Sequence, residues 1–151
     1  MQVSDLLSPE RISLNEHAGS KKKLLEILSD LLVNKEDSND VRLVFESLCS
    51  RERLGSTSIG NGVAIPHGRV SDLNSARAAF VRLRKAIQFE AEDGEPVDML
   101  FAITVPQHCS EDHLQLLGQV EDMFSSTEFR EQLRTVDSAV KLQELLANWK
   151  N

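Results

Sequence analysis

A chain of 151 residues lies in the size range of one domain and can bury about two thirds or more of its unfolded surface. Its composition, 40% hydrophobic and 27% charged with seven glycines and four prolines, excludes a disordered or fibrous class. A net charge of -7 argues against a general nucleic-acid binder, because phosphate backbones attract basic faces.

No repeat, low-complexity tract or Gly/Ser/Pro-rich linker divides the chain, so residues 1–151 are expected to form a single domain. In chain order, alternation at Ile12 and Leu14 reads as an edge strand. SKKKLLEILSDLLVN then spaces Leu24, Leu25, Leu28, Leu31 and Leu32 along one helical face. Lys21, Lys22 and Lys23 at its start oppose the helix dipole, a conflict that burial of the leucines must outweigh. In SNDVRLVFESLCSRERLG, Ser38 or Asn39 is the expected N-cap, Val41, Val44, Phe45 and Leu48 form the apolar stripe, and Gly55 is the stop. Arg51 and Arg53 fall near its C-terminal end.

Strands are expected over 63–65 and in ARAAFVRLR, where Ala79, Val81 and Leu83 alternate. VDMLFAITV is apolar on both faces, with Val97, Met99, Phe101, Ile103 and Val105 on one side and Leu100 and Ala102 on the other, so it needs helices above and below. Those come last. Ser110 opens a helix with His113, Leu116, Leu117, Val120, Met123 and Phe124 on its face. Ser125 and Glu128 have capping-box spacing for another, and Leu142, Leu145, Leu146 and Trp149 stripe the third. The sum is an α/β domain with a mixed β-sheet flanked by helices on both faces. No apolar run approaches the ~18 residues of a membrane span, and MQVSDLLSPER has no signal-peptide pattern. Cys49 and Cys109 fit free thiols, so a cytoplasmic protein without membrane insertion is expected.

One stretch stands apart: GNGVAIPHGRV sets His67 between a proline and a glycine after a short apolar run. Pro66 forces Ile65 into extended geometry, so a strand is expected to end there and eject His67, with Gly68 permitting a turn. Five roles compete. His67 can be a structural histidine, or a zinc ligand with His108, Cys109 and His113, although that spacing matches no familiar ligand pair. A hydrolase base lacks a G-x-S-x-G elbow or a Ser-His-Asp set, and a nucleotide site lacks a Walker lysine. The fifth role is a nucleophile that accepts a phosphoryl group, since a neutral imidazole carries a lone pair when its other nitrogen is pinned. Such transfer needs cations and N–H donors around the phosphoryl oxygens. Arg51, Ser56 and Thr57 lie a short loop away in sequence, and Arg51 reads equally as a solvated residue suited to a helix C-terminus. His113, near a helix N-terminus, suits an anion site or simply begins an apolar stripe. His17 and His108 are expected at the surface.

SRERLGSTSIGNGVAIPHGRV resembles the active-site region of enzyme IIA domains of the fructose/mannitol class in the bacterial phosphoenolpyruvate-dependent phosphotransferase system. The likeness extends from SDLLSPERI through SKKKLLEIL to PVDMLFAITVP and DHLQLL, and is nearest to the nitrogen-regulatory branch. It implies a phosphotransferase in which His67 accepts a phosphoryl group from HPr or a similar phosphocarrier protein, without ATP, metal or other cofactor. Arg51 matches the family's active-site arginine and His113 its second active-site histidine; Ser56 and Thr57 are expected to support the phosphate. It also implies the mixed sheet flanked by helices. Two functions follow. The protein is a regulator whose phosphorylation changes how it binds target proteins, or a sugar-specific IIA that passes phosphate to a separate IIB; the lack of a second domain in the chain favours the regulator.

Overall fold

The computed structural model describes residues 2–33, 40–71, 73–108 and 111–149, with the backbone alone for residues 111–114. One mixed sheet contains β1 Ile12–Glu16, β2 Ser58–Gly60, β3 Val63–Ala64, β4 His67–Val70, β5 Arg77–Ile87 and β6 Val97–Pro106. Helices α1 Lys21–Leu32 and α2 Val41–Arg53 cover one face; α3 Glu111–Ser125, α4 Thr127–Thr135 and α5 Ala139–Asn148 cover the other. β6 is central, antiparallel to β5 and parallel to β3 and β4, while β1 runs parallel to β5 and β2 closes a hairpin with β3.

The apolar patterns account for the layers. Leu24, Leu25, Leu28 and Leu32 of α1 are buried, and each such leucine stabilises by about 1.5–3 kcal/mol, more than the ~0.3–1 kcal/mol that a charge opposed to a helix dipole costs. On β6, Met99, Phe101, Ile103 and Val105 join the core under α3, α4 and α5, whereas Leu100 and Ala102 face α1 and α2. Val97 packs with Leu100 instead of Met99, because the β5 pairing shifts between Arg82 and Ile87 and regular alternation ends there. Leu116, Val120, Met123 and Phe124 of α3 are buried, and Phe124 meets Phe101 and Phe129 edge to face at 6.2 and 6.1 Å.

Helix starts depart from the sequence reading by small steps. Asp40 caps α2 by accepting the Arg42 N–H, one residue past the expected caps Ser38 and Asn39, which lie outside the described residues. Val41, expected on the buried stripe, is exposed. Ser126, not Ser125, caps α4 and receives the Phe129 N–H at 3.1 Å. The hydroxyl of Ser125 donates to the Asp122 carbonyl instead, so the box with Glu128 does not form. Ser110 lies outside the described residues.

The largest correction concerns the chain around His67. Val63 and Ala64 pair with Met99 and Leu100, and His67, Gly68, Arg69 and Val70 pair with Ile103, Thr104, Val105 and Pro106, in one unbroken register along β6. Pro66 only interrupts the ladder, since it has no N–H, and its carbonyl still accepts the Ile103 N–H at 3.0 Å. The strand therefore continues through His67, and Gly68 makes no turn. Gly68 serves a different need: a Cβ there would overlap the Ser47 Oγ, so glycine lets α2 lie directly against β4.

Candidate functional site

The site begins where α2 ends. Arg51 donates from its guanidinium to the Gly55 carbonyl at 2.9 Å, tying the helix end to the loop that leads into β2. The neighbouring Glu52 points the other way and is only 8% exposed. Its carboxylate accepts the Thr57 N–H at 3.1 and 3.2 Å and the Thr57 hydroxyl at 2.6 Å, and Lys21 Nζ stands 3.3 Å away. Lys21 also lies 4.4 Å over the Phe89 ring. This explains the lysine that opposes the α1 dipole: it neutralises a buried carboxylate that organises the loop. Glu52→Ala leaves the Thr57 donors and a largely covered ammonium unpaired, and is expected to cost about 3 kcal/mol of stability. Urea unfolding checks this; an unchanged midpoint would remove the network from the account of the loop.

Ser56 and Thr57, expected to support the phosphate, have their hydroxyls engaged within the loop. The Ser56 hydroxyl donates to the Phe89 carbonyl at 2.8 Å and accepts the Ser58 N–H at 3.2 Å, while the Thr57 hydroxyl is committed to Glu52. Both build the loop and neither lines the cleft beside His67. The hairpin that follows is clamped by Arg134, which binds Asp98 at 2.9 and 3.1 Å and the Asn61 carbonyl at 2.7 Å. Gly62, with φ of 79°, is required there, since a Cβ would come within 2.7 Å of the Arg134 guanidinium.

His67 opens β4 half-buried, with Nδ1 2.8 Å from the Ile65 carbonyl. A carbonyl only accepts, so Nδ1 carries the proton and Nε2 keeps its lone pair. Burial pushes the imidazole below the usual 6.5; the Ile65 bond opposes this, the Arg51 charge reinforces it, and the Glu52 and Glu121 carboxylates pull back. The ring is consequently neutral at neutral pH, the state in which it can attack phosphorus.

A cleft of about 330 Å³ opens beside it, at the edge between α2 and α3. His67 and Arg69 of β4, Arg51 and Ser50 of α2, and the apolar Leu54 and Leu117 line it. Leu54 is 85% exposed, an apolar side chain left uncovered at the mouth. Arg51 and His67, paired by the sequence reading, thus share one cleft. His113 lies one helical turn before Leu117 on α3, with its side chain outside the described residues. His17 and His108 are exposed and do not line the cleft, and Cys109 lies outside the described residues. Among the described residues, no three His, Cys, Asp or Glu side chains gather in a way that could hold a metal. Arg69, Leu54 and Leu117 were given no place in the site from sequence. Once β4 is known to continue, the two-residue period from His67 finds the first of them.

Residues 5–149 match the family described as "Phosphoenolpyruvate-dependent sugar phosphotransferase system, EIIA 2". The chain belongs to this family. Among EIIA relatives, the nitrogen regulatory protein of Pseudomonas aeruginosa is 38% identical over 151 residues, covering 100% of this chain and 98% of the relative. The fructose-specific EIIA component of Haloferax volcanii is 34% identical over 150 residues, covering 97% of each. The crystal structure of the nitrogen regulatory protein IIA-Ntr from Neisseria meningitidis matches with a TM-score of 0.90 at 40% identity, covering 95% of this chain and 98% of that one. The EIIA fold expected from sequence, a mixed sheet between helical layers, is the fold observed.

Proposed function

We propose that the protein is a phosphohistidine carrier of the phosphotransferase system, acting mainly as a nitrogen-branch regulator of target proteins in the cytoplasm. The observation that carries this is the His67 imidazole, with Nδ1 held on the Ile65 carbonyl, so that Nε2 keeps its lone pair, in a cleft shared with Arg51. The donor is an HPr-type phosphocarrier protein, and residues 1–151 work as one unit. The Nε2 lone pair attacks phosphorus in line while the bond from phosphorus to the carrier breaks and its electron pair stays with the carrier. The proton on Nδ1 does not move. Arg51 bears the charge on the phosphoryl oxygens, and His113 takes the part of the second active-site histidine that the family likeness implies. No step calls for ATP or a metal.

Regulation follows from electrostatics. The phosphoryl group adds about -1.5 to -2 of charge to a cleft whose mouth carries the exposed Leu54 and the half-buried Leu117, so a partner that fits one form is disfavoured by the other. The 34% identity to a fructose-specific EIIA component supports a second reading, a sugar-uptake IIA that hands phosphate to a separate IIB. The higher identity to nitrogen regulatory proteins across both full chains favours the regulator. The test is incubation with phosphoenolpyruvate, enzyme I and an HPr-type carrier, followed by mapping of acid-labile phosphate. Label on His67 is expected; a folded protein that takes no label from any carrier overturns the carrier reading.

A further inference from the structure

Residues two apart on a strand share a face, and β4 stays extended through His67, so Arg69 stands on the same side of the sheet as the histidine. Both line the cleft. Their α-carbons are about 7 Å apart, a span that an arginine side chain covers. The backbone at Arg69 is fixed, because the Ser47 hydroxyl of α2 donates to its carbonyl at 2.8 Å. Its guanidinium is not. Arg69 is exposed, and among the described residues its side chain joins no hydrogen bond or ion pair, whereas Arg51 is held by the Gly55 carbonyl.

We propose that Arg69 is a second cationic ligand of the phosphoryl group on His67, idle in the unphosphorylated site and engaged when the group arrives; the inference rests on the phosphohistidine reading above. Phosphoryl transfer places three charged oxygens around Nε2, more than one planar guanidinium can serve. Arg51 approaches from the end of α2 and Arg69 from β4 itself, so the two forks reach different oxygens. The bond that forms is His67 Nε2 to phosphorus and the bond that breaks is phosphorus to the carrier. Arg69 exchanges no proton and acts only on the charge that the transfer brings in. A free cation is well suited to this, since it loses no existing partner when it turns to the phosphate.

The test compares wild type, Arg69→Gln and Arg69→Lys in three measurements. These are the equilibrium between phosphorylated carrier and phosphorylated protein, the hydrolysis rate of the isolated phospho-form, and the 31P pH titration of its phosphohistidine. For Arg69→Gln the acceptance equilibrium is expected to fall about tenfold, the value of one charge-assisted hydrogen bond. Hydrolysis is expected to quicken and the phosphate to titrate at higher pH, with Arg69→Lys between Gln and wild type. A purely structural role would leave the 31P titration unmoved. If Arg69→Gln matches wild type in all three, Arg69 does not touch the phosphate. If only the acceptance equilibrium falls while the isolated phospho-form hydrolyses and titrates as wild type, Arg69 does not act on the bound phosphate and the proposal fails. Wild type that takes no label overturns the phosphohistidine reading itself, an outcome distinct from either.

Discussion

His67→Gln is expected to abolish phosphoryl acceptance while leaving the fold in place. Glutamine has a similar reach and can still donate an amide N–H to the Ile65 carbonyl, which now receives Nδ1 at 2.8 Å. Pairing of residue 67 with Ile103 is a main-chain matter and does not depend on the side chain. What disappears is the nucleophilic nitrogen, and among the described residues no other imidazole lines the cleft. Label from phosphoenolpyruvate, passed through enzyme I and an HPr-type carrier, should fall below detection, while circular dichroism and the pH 7 unfolding midpoint stay near wild type. The variant should differ from wild type in acid. His67 holds its proton less tightly folded than unfolded, so it favours folding above about pH 6.5 and that contribution is lost as pH falls through the lowered folded value. Glutamine does not titrate, and stability of the variant should decline less steeply below pH 6.5. Label retained by folded His67→Gln would move the acceptor to another residue.

The outcome at His67 illustrates how sequence and structure divide the information. The helices and the central strand were legible because burial imposes a period. The leucines of α1, the two-sided apolar run of β6 and the stripe from Leu116 to Phe124 leave little choice of face. Helix starts were missed by one residue, since Ser, Asn and Asp compete for a cap and Asp40 and Ser126 prevailed over their neighbours. The proline before His67 misled for a better reason. Pro66 removes one ladder hydrogen bond, which from sequence reads as a strand end; β6 supplies register on both sides, and pairing resumes at once.

Site residues fared differently according to what decides them. His67 and Arg51, singled out from local pattern and family likeness, line one cleft. Ser56 and Thr57 were read as phosphate supports because hydroxyls near a nucleophile fit that role. Their partners, the Phe89 carbonyl and Glu52, come from another loop and from the inward face of α2, and spacing alone does not foretell them. The pairing of Glu52 with Lys21 went unnoticed for the same reason: a buried ion pair between two helices looks in sequence like two ordinary surface charges. The pair matters to the site because Arg51 and Glu52 are adjacent. The helix end that sends a cation toward His67 must send a carboxylate inward, and Lys21 and Thr57 make that carboxylate tolerable.

Arg51→Ala separates two tasks that the wild-type side chain performs together. As a cation beside the site of transfer it is expected to contribute about 10²–10³ to the rate, the scale of a preorganised donor aimed at developing charge. As a like charge near the imidazole it helps hold His67 below the usual pKa, so its removal should move the His67 titration upward toward 6.5, with burial still keeping it lower. Structurally the loss is slight: one hydrogen bond to the Gly55 carbonyl at the surface, worth about 1 kcal/mol or less. Rapid-quench transfer from the phosphorylated carrier measures the first effect and imidazole NMR across pH 4 to 8 the second. Arg51→Lys refines the assignment, because it keeps the charge and should keep His67 low, yet loses the planar fork and should recover only part of the rate. A full rate in Arg51→Ala would reduce Arg51 to a clasp on the loop. A slow variant with His67 still titrating as in wild type would leave its charge acting on phosphate alone.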